Sequence, residues 1–340
     1  MEAVSEVLLR NRQALGSGAM FLVNPARDHL AVELDKTSAG IEVFTQDYGH
    51  HEWFQRLGMH CDFGVAPSVP QHTETVVLRL AREKERFEML LHAVADSMPP
   101  GARLWVVGEK RAGIQSAPKR ISRYFSTVRK LDSARHCMLF EGTGPLSGKP
   151  FSIEGQFRSW TAQCSGQTLK IRSLPGVFAH GRLDKGTALL LEVANGIDFT
   201  GDVLDFACGA GVIGACLKAK DPAVSVTCLD ISATALAATR ETFLCNGMEV
   251  NPLASDGLTG LDSKYDWIVS NPPFHLGVRD DLDIAADFFR RAGTFLNEKG
   301  KILVVFNRHL PYVGWIKEYF DHVEFLAKNR EFCVVQATKQ

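Results

Sequence analysis

The chain has 340 residues, 45% hydrophobic and 23% charged, with 38 basic against 39 acidic side chains. That length suits two domains better than one core, and the near-zero net charge excludes a protein that grips nucleic acid by global charge, so such a contact needs a local patch. The apolar runs are too short to span a bilayer, and the eight cysteines show neither a C-x-x-C pair nor zinc spacing. They read as buried free thiols of a soluble, cytoplasmic, metal-free protein.

In chain order, Phe21-Leu22-Val23-Asn24 is the first predicted strand. Ile41 to Gln46 is the next, followed by Asp47, and Arg103 to Val107 follows a turn at Pro100-Gly101. Residues 108–130 hold Lys110, Arg111, Lys119, Arg120, Arg123, Arg129 and Lys130 against Glu109, seven minus one, or +6. With Tyr124 and Phe125 interleaved, the run is either a solvated face over two core aromatics or a phosphate-binding patch. Phe157 to Cys164 and Thr168 to Ile171, around Ser165-Gly166, predict a hairpin at the junction.

The second half alternates strands and helices. Strands are predicted at Val203–Phe206, Val224–Leu229, Tyr265–Ser270 and, after a turn at Lys299-Gly300, Ile302–Phe306. Helices are predicted at Val212–Lys220, Ile231–Cys245 and Ile284–Leu296, and Val323–Leu326 with Phe332–Ala337 forms a closing hairpin. The fold class is therefore α/β, a mostly parallel Rossmann-like sheet with an antiparallel C-terminal hairpin. The first half repeats the order. Phe125–Thr143 lies on Phe320–Thr338 without a gap, the first strand lies on Val203-Leu204-Asp205, and Asp47 falls where Asp230 falls. Two tandem domains follow, 1–152 and 153–340, related by duplication. The first has no G-x-G after its first strand, and near Leu80-Ala81-Arg82 it has no counterpart of Asn271-Pro272-Pro273.

Asp205-Phe206-Ala207-Cys208-Gly209-Ala210-Gly211, between strand and helix, is a ligand loop, because glycine lets backbone approach a ligand at positive φ. Asp230, followed by Ile231, ends the next strand, where a carboxylate accepts from ribose hydroxyls. Gly209, Gly211 and Gly214 also fit a dinucleotide site. Against that, Asp205 would repel a phosphate and suits an ammonium, and Asp256-Gly257 offers an acceptor for an adenine amino group. Alone, Asp256-Gly257 is equally a simple turn.

Asn271-Pro272-Pro273-Phe274 ends the fourth strand. An exocyclic amino group on a base is a poor nucleophile because its lone pair is delocalised. Two acceptors on its N–H bonds, the Asn side-chain oxygen and the carbonyl of the following Pro, favour a tetrahedral nitrogen. Proline fixes φ and preorganises that carbonyl, and Phe274 offers a stacking face. A rigid turn over a core Phe would use the same residues; the order of glycine loop, Asp230, Asp256 and Asn-Pro-Pro-Phe points to the chemistry.

These motifs resemble class I methyltransferases in their amino-methylating branch. His275 after the Asn-Pro-Pro-Phe, Pro175-Gly176-Val177-Phe178-Ala179 and Leu183-Asp184-Lys185-Gly186-Thr187 with Leu189-Leu190-Leu191 resemble the RsmC family of 16S ribosomal RNA guanine-N2 methyltransferases. The resemblance covers nearly the whole chain and implies a degenerate methyltransferase-like first domain that supports and binds RNA, beside an active second one. It implies S-adenosylmethionine held by Asp205, Ala207, Cys208, Gly209, Gly211, Asp230, Ile231, Asp256, Gly257 and Asn271. It also implies a loop, Phe178 to Gly186, that closes over the site, guanine 1207 of the small subunit as target, and a monomer. The basic run and His275 then face RNA, and His309 could line the pocket. Leu276-Gly277-Val278 departs from the family's usual pattern. The rivals are the sister 23S guanine family, protein glutamine methylation, which commonly has Tyr where Phe274 stands, and a catalytically dead nucleic-acid-binding protein.

Overall fold

Met20–Val23 (β1) is buried at all four positions, as an unbroken apolar run must be when a parallel strand is covered on both faces. In the computed structural model, which describes residues 1–272 and 279–339, the chain divides into two units, Met1–Gln156 and Phe157–Gln340. The first unit adds Ile41–Thr45 (β2), Cys61–Phe63 (β3), Thr75–Arg79 (β4), Arg103–Glu109 (β5), Phe125–Ala134 (β6) and Cys137–Pro145 (β7) in the order β3-β2-β1-β4-β5-β7-β6. Helix Ala3–Arg10 packs Val4, Val7 and Leu8 against Leu22 and Trp105 on one face. On the other, helix Lys84–Ser97 sets Phe87, Leu90, Leu91 and Val94 at helical spacing against Phe21, Val23 and Leu104.

The second unit opens with a separate antiparallel pair, Arg158–Cys164 (β8) and Gln167–Ser173 (β9). Its main sheet holds Asp202–Phe206 (β10), Ser225–Asp230 (β11), Leu253–Ala254 (β12), Tyr265–Ser270 (β13), Leu296–Asn307 (β14), His322–Lys328 (β15) and Phe332–Thr338 (β16). Their order, β12-β11-β10-β13-β14-β16-β15, matches the first sheet strand for strand. The predicted turn at Lys299-Gly300 lies inside β14, where Lys299 takes positive φ and the strand continues. The helix expected from Ile284 begins at Arg279 and ends at Ala292.

The closing hairpins agree residue by residue. Lys130 pairs Phe140 and Phe325 pairs Val335, each 195 positions apart by subtraction (325 − 130, 335 − 140). The bulges, between Lys130 and Asp132 and between Phe325 and Ala327, carry the same offset. Elsewhere register corrects the expected equivalences. Val23 pairs Phe44 and Leu78, while Phe206 pairs Leu229 and Ser270. The next residues therefore correspond as Asn24 to Ala207, Thr45 to Asp230 and Arg79 to Asn271. Asp47 is two residues past the equivalent of Asp230 and caps helix Tyr48–Arg56 by accepting from the His50 N–H. The expectation of eight free thiols also fails at one pair. Cys164 on β8 and Cys216 on helix Val212–Lys220 are disulfide-bonded, because the hairpin lies on that helix with the two Cα atoms 5.3 Å apart.

Candidate active site

Beyond β10 the chain passes through Ala207, Gly209 and Gly211, all at positive φ, before helix Val212–Lys220. At Gly211 a Cβ would stand 2.9 Å from the Thr239 side chain, so the close turn excludes any larger residue. Thr239 Oγ1 also donates to the Gly209 carbonyl over 3.1 Å. Asp230 spans the loop from the next strand, accepting from the Gly209 N–H on Oδ2 and the Ser232 N–H on Oδ1, both at 2.9 Å. A carboxylate retains further lone pairs for a ligand's hydroxyls.

These groups line a cavity of about 260 Å³. Its wall includes Ala207, Cys208, Gly209, Asp230, Ile231, Asp256, Gly257 and Asn271, so eight of the expected cofactor residues meet in one place. Gly211 stands behind the loop against Thr239, and Asp205 sits deeper, in the core. Its side chain is fully buried and absent from that wall, accepting the Gly214 N–H at 2.8 Å. Burial pushes its carboxyl up to about 7, with nearby Asp230 adding to the rise and the Gly214 bond opposing it. Through Oδ2 this carboxyl anchors the loop to its helix, and its Oδ1 is buried with no partner among the described residues.

Asn271, at the carboxyl end of β13, has both amide hydrogens taken. Its Nδ2 donates to Thr187 Oγ1 at 2.9 Å and to Asp184 Oδ2 at 3.2 Å. Its Oδ1 is buried and has no partner among the described residues. An orphaned buried acceptor costs about 1–3 kcal/mol, and one beside a cavity is available to a ligand's donor. Pro272 lines the same wall. Pro273, Phe274 and His275 lie outside the described residues.

The sequence marks Asp184 and Thr187 only through the resemblance, Arg182 only as part of the loop Phe178 to Gly186, and Trp160 not at all; all four line the cavity. For the first two the signal was present. Asp184 precedes an apolar helical run and accepts from the N–H groups of Gly186 and Thr187, an N-cap legible in principle. Trp160 comes from the junction hairpin, and no local pattern announces that a hairpin side chain reaches a site built elsewhere. Phe178, 56% exposed, lies on the rim. His309 is exposed and is not on this wall.

The basic run is neither one helix nor a bare charge excess. It crosses the end of β5, three short helical turns and β6. Acids remote in sequence neutralise much of it: Arg120 and Arg123 share Glu88 at 3.0 and 2.8 Å and Arg129 pairs with Glu141 at 2.7 Å, while Arg111 pairs with Glu109 within the run. Lys110, Lys119 and Lys130 are exposed and make no ion pair among the described residues.

The strand order, the positive-φ loop, the carboxylate beside it and the Asn at the next strand end define a class I methyltransferase, an enzyme class whose methyl donor is S-adenosylmethionine. Family models agree: residues 168–336 match "Methyltransferase small domain" and residues 5–160 "Methyltransferase small domain N-terminal". Full-length relatives are called ribosomal RNA small subunit methyltransferase C. The one from Pseudomonas entomophila is 37% identical and covers 100% of both chains, and the one from Aliivibrio salmonicida is 33% identical over 99% of each. A solved T. thermophilus structure, a 16S rRNA N2 G1207 methyltransferase (RsmC) in complex with AdoMet and guanosine, superposes with a TM-score of 0.88. It covers 100% of this chain and 92% of that one at 23% identity, a likeness of fold. This chain belongs to the ribosomal RNA small subunit methyltransferase C family.

Proposed function

We propose that this protein methylates the exocyclic N2 of a guanine in 16S rRNA of the small ribosomal subunit, at the position numbered 1207 in the family. The observation that carries the reading is the buried Asn271 Oδ1 beside the cofactor loop, without a partner among the described residues, in a chain whose full-length relatives bear the small-subunit name. Bound S-adenosylmethionine supplies an electrophilic methyl group. Asp230 would accept from the ribose hydroxyls, Asp256 and Gly257 would meet the adenine edge, and Ala207 to Gly209 would line the cofactor along the loop. Asn271 Oδ1 and the Pro272 carbonyl each accept one N–H of the guanine amino group, which turns its lone pair toward the methyl donor. In-line positioning does the rest.

The first unit would hold RNA without catalysing. Its strand order supports duplication, and its equivalents of the loop, Asp230 and Asn271 are Asn24, Thr45 and Arg79. Lys110, Lys119 and Lys130, without an ion pair among the described residues, are the phosphate contacts favoured by their exposure. Among the described residues no helix is long and apolar enough to cross a membrane, and action on ribosomal particles in the cytoplasm as a monomer fits this reading. The test is tritiated methyl transfer into small- and large-subunit particles from cells lacking the protein, followed by nucleoside analysis. N2-methylguanosine confined to small-subunit RNA is expected; label in large-subunit RNA or in protein would refute the assignment.

A further inference from the structure

We infer that Asp184 and Thr187 are positioning residues for the methyl-transfer step: they fix which end of the Asn271 carboxamide serves the substrate. The inference deepens the proposed function and rests on it for the identity of the amino group.

An Asn side chain presents a donor and an acceptor that exchange places when it flips by half a turn, with little change in shape. An enzyme that needs the oxygen must make the flipped state costly. Asp184 can only accept while ionised, and its Oδ2 already receives the Gly186 and Thr187 N–H groups at 2.8 and 3.1 Å. An Asn271 oxygen turned toward it would meet an acceptor already polarised by two donors and would repel it. Thr187 Oγ1, 2.9 Å from Asn271 Nδ2, takes the second amide hydrogen. Both hydrogens are then committed, and Oδ1 remains as the buried, unpartnered group. The first turn of helix Lys185–Asn195 thus does two things with one carboxylate: it caps the helix and orients a side chain 87 residues further on. Gly186 belongs to the device, since a Cβ there would lie 3.0 Å from Asp184 Oδ2 and 3.1 Å from the Phe332 ring.

The experiment compares Thr187→Val, Thr187→Ser and Asp184→Ser in the full-length protein on small-subunit particles. Val keeps the shape of Thr without its acceptor, and Ser at 184 keeps a helix cap without the carboxylate. Thr187→Val and Asp184→Ser are expected to lower kcat by about 10- to 100-fold, the scale of a misplaced reacting group. Affinity for S-adenosylmethionine should stay within about twofold, and Thr187→Ser should recover most of the rate. A Thr187→Val rate equal to wild type overturns the inference, as does a loss that Thr187→Ser shares or one that appears in cofactor affinity and melting temperature instead of kcat. A second readout needs no turnover. The Asn271 side-chain amide protons, followed by NMR, should exchange slowly in wild type and faster in both Thr187→Val and Asp184→Ser. Fast exchange in wild type would sink the inference even if guanine methylation is established. Slow exchange in wild type and faster exchange in the two variants would sustain it even if the substrate proves to be another amino group.

Discussion

At the end of β10 the chain turns through Ala207 at positive φ into a glycine loop that leaves open space beside Asp230. At the end of β1 the equivalent residue, Asn24, also has positive φ, yet the space is filled by hydrogen bonds. Asn24 Oδ1 receives the Gln46 N–H at 2.8 Å, Asn24 Nδ2 and Arg86 Nε both donate to Gln46 Oε1, and Gln46 Nε2 donates to the Val65 carbonyl. Gln46 is fully buried in this network. The backbone geometry that a ligand loop uses has been kept in both units, while the side chains decide whether a ligand or the protein itself occupies the turn. The strand order therefore says little about activity, and the residues at three strand ends say most of it.

Substitutions at equivalent positions can break or sharpen that contrast. Asn271→Ala should lower kcat by about 10²- to 10³-fold, as loss of one preorganised transition-state contact does. Cofactor affinity should hold, and Arg79→Ala at the matching place in the first unit should leave kcat unchanged. Steady-state methylation and calorimetry check both. Asp230→Ala should weaken cofactor binding by about 10- to 100-fold, the worth of a charged hydrogen bond. Asp47→Ala should cost about 1 kcal/mol of stability as a lost helix cap and leave that affinity alone. Replacing Lys110, Lys119 and Lys130 together by Glu should weaken RNA binding and reduce its logarithmic salt slope by about 2. The paired Arg120 and Arg123 make a poorer test, because reversal there sets new carboxylates against Glu88.

The smallest effect concerns Asp205. Its folded-state pKa of about 7 lies above the usual 3.8, so the folded protein holds a proton that the unfolded chain releases. The contribution to stability is present in full below pH 3.8, declines as pH rises toward 7, and is gone above it. Asp205→Asn removes this slope and can still accept the Gly214 N–H. Its melting temperature relative to wild type should climb by several degrees between pH 5 and pH 8. An equal difference at both values would show that Asp205 does not titrate between them.

Much of this was legible in the sequence because it is written in local patterns. Parallel strands such as β1 and β13 are continuous apolar runs, and the glycine loop and Asn-Pro-Pro-Phe follow strands directly. The nineteen-residue hairpin overlay survives as identical pairing and an identical bulge, since bulge position is fixed by register within one hairpin. What escaped depends on distance in sequence. The charge count over 108–130 could not include Glu88 or Glu141. Asp47 resembled Asp230 in type, but β-sheet register gives that place to Thr45. Asp205 carries the right charge for a ligand, and nothing local shows that its Oδ2 takes the Gly214 N–H, nine residues on, inside the core. The Cys164–Cys216 bond joins segments that composition alone cannot bring together.

The bulge shared by the two hairpins has a consequence for how the molecule behaves in company. Both β6 and β15 are outermost strands, and an outer strand offers unpaired backbone groups to any other chain it meets. A bulge bends and twists such a strand, and a charged flank makes a flat partner unwelcome. Here Lys130 adjoins one bulge, and Lys328 lies over the Phe325 ring at the other. Straightening either rim, by deleting Leu131 or Leu326, would turn a guarded edge into a template for aggregation. A defence of that kind is required of every sheet edge whether or not the sheet holds a cofactor, which is reason enough for it to be identical in both units.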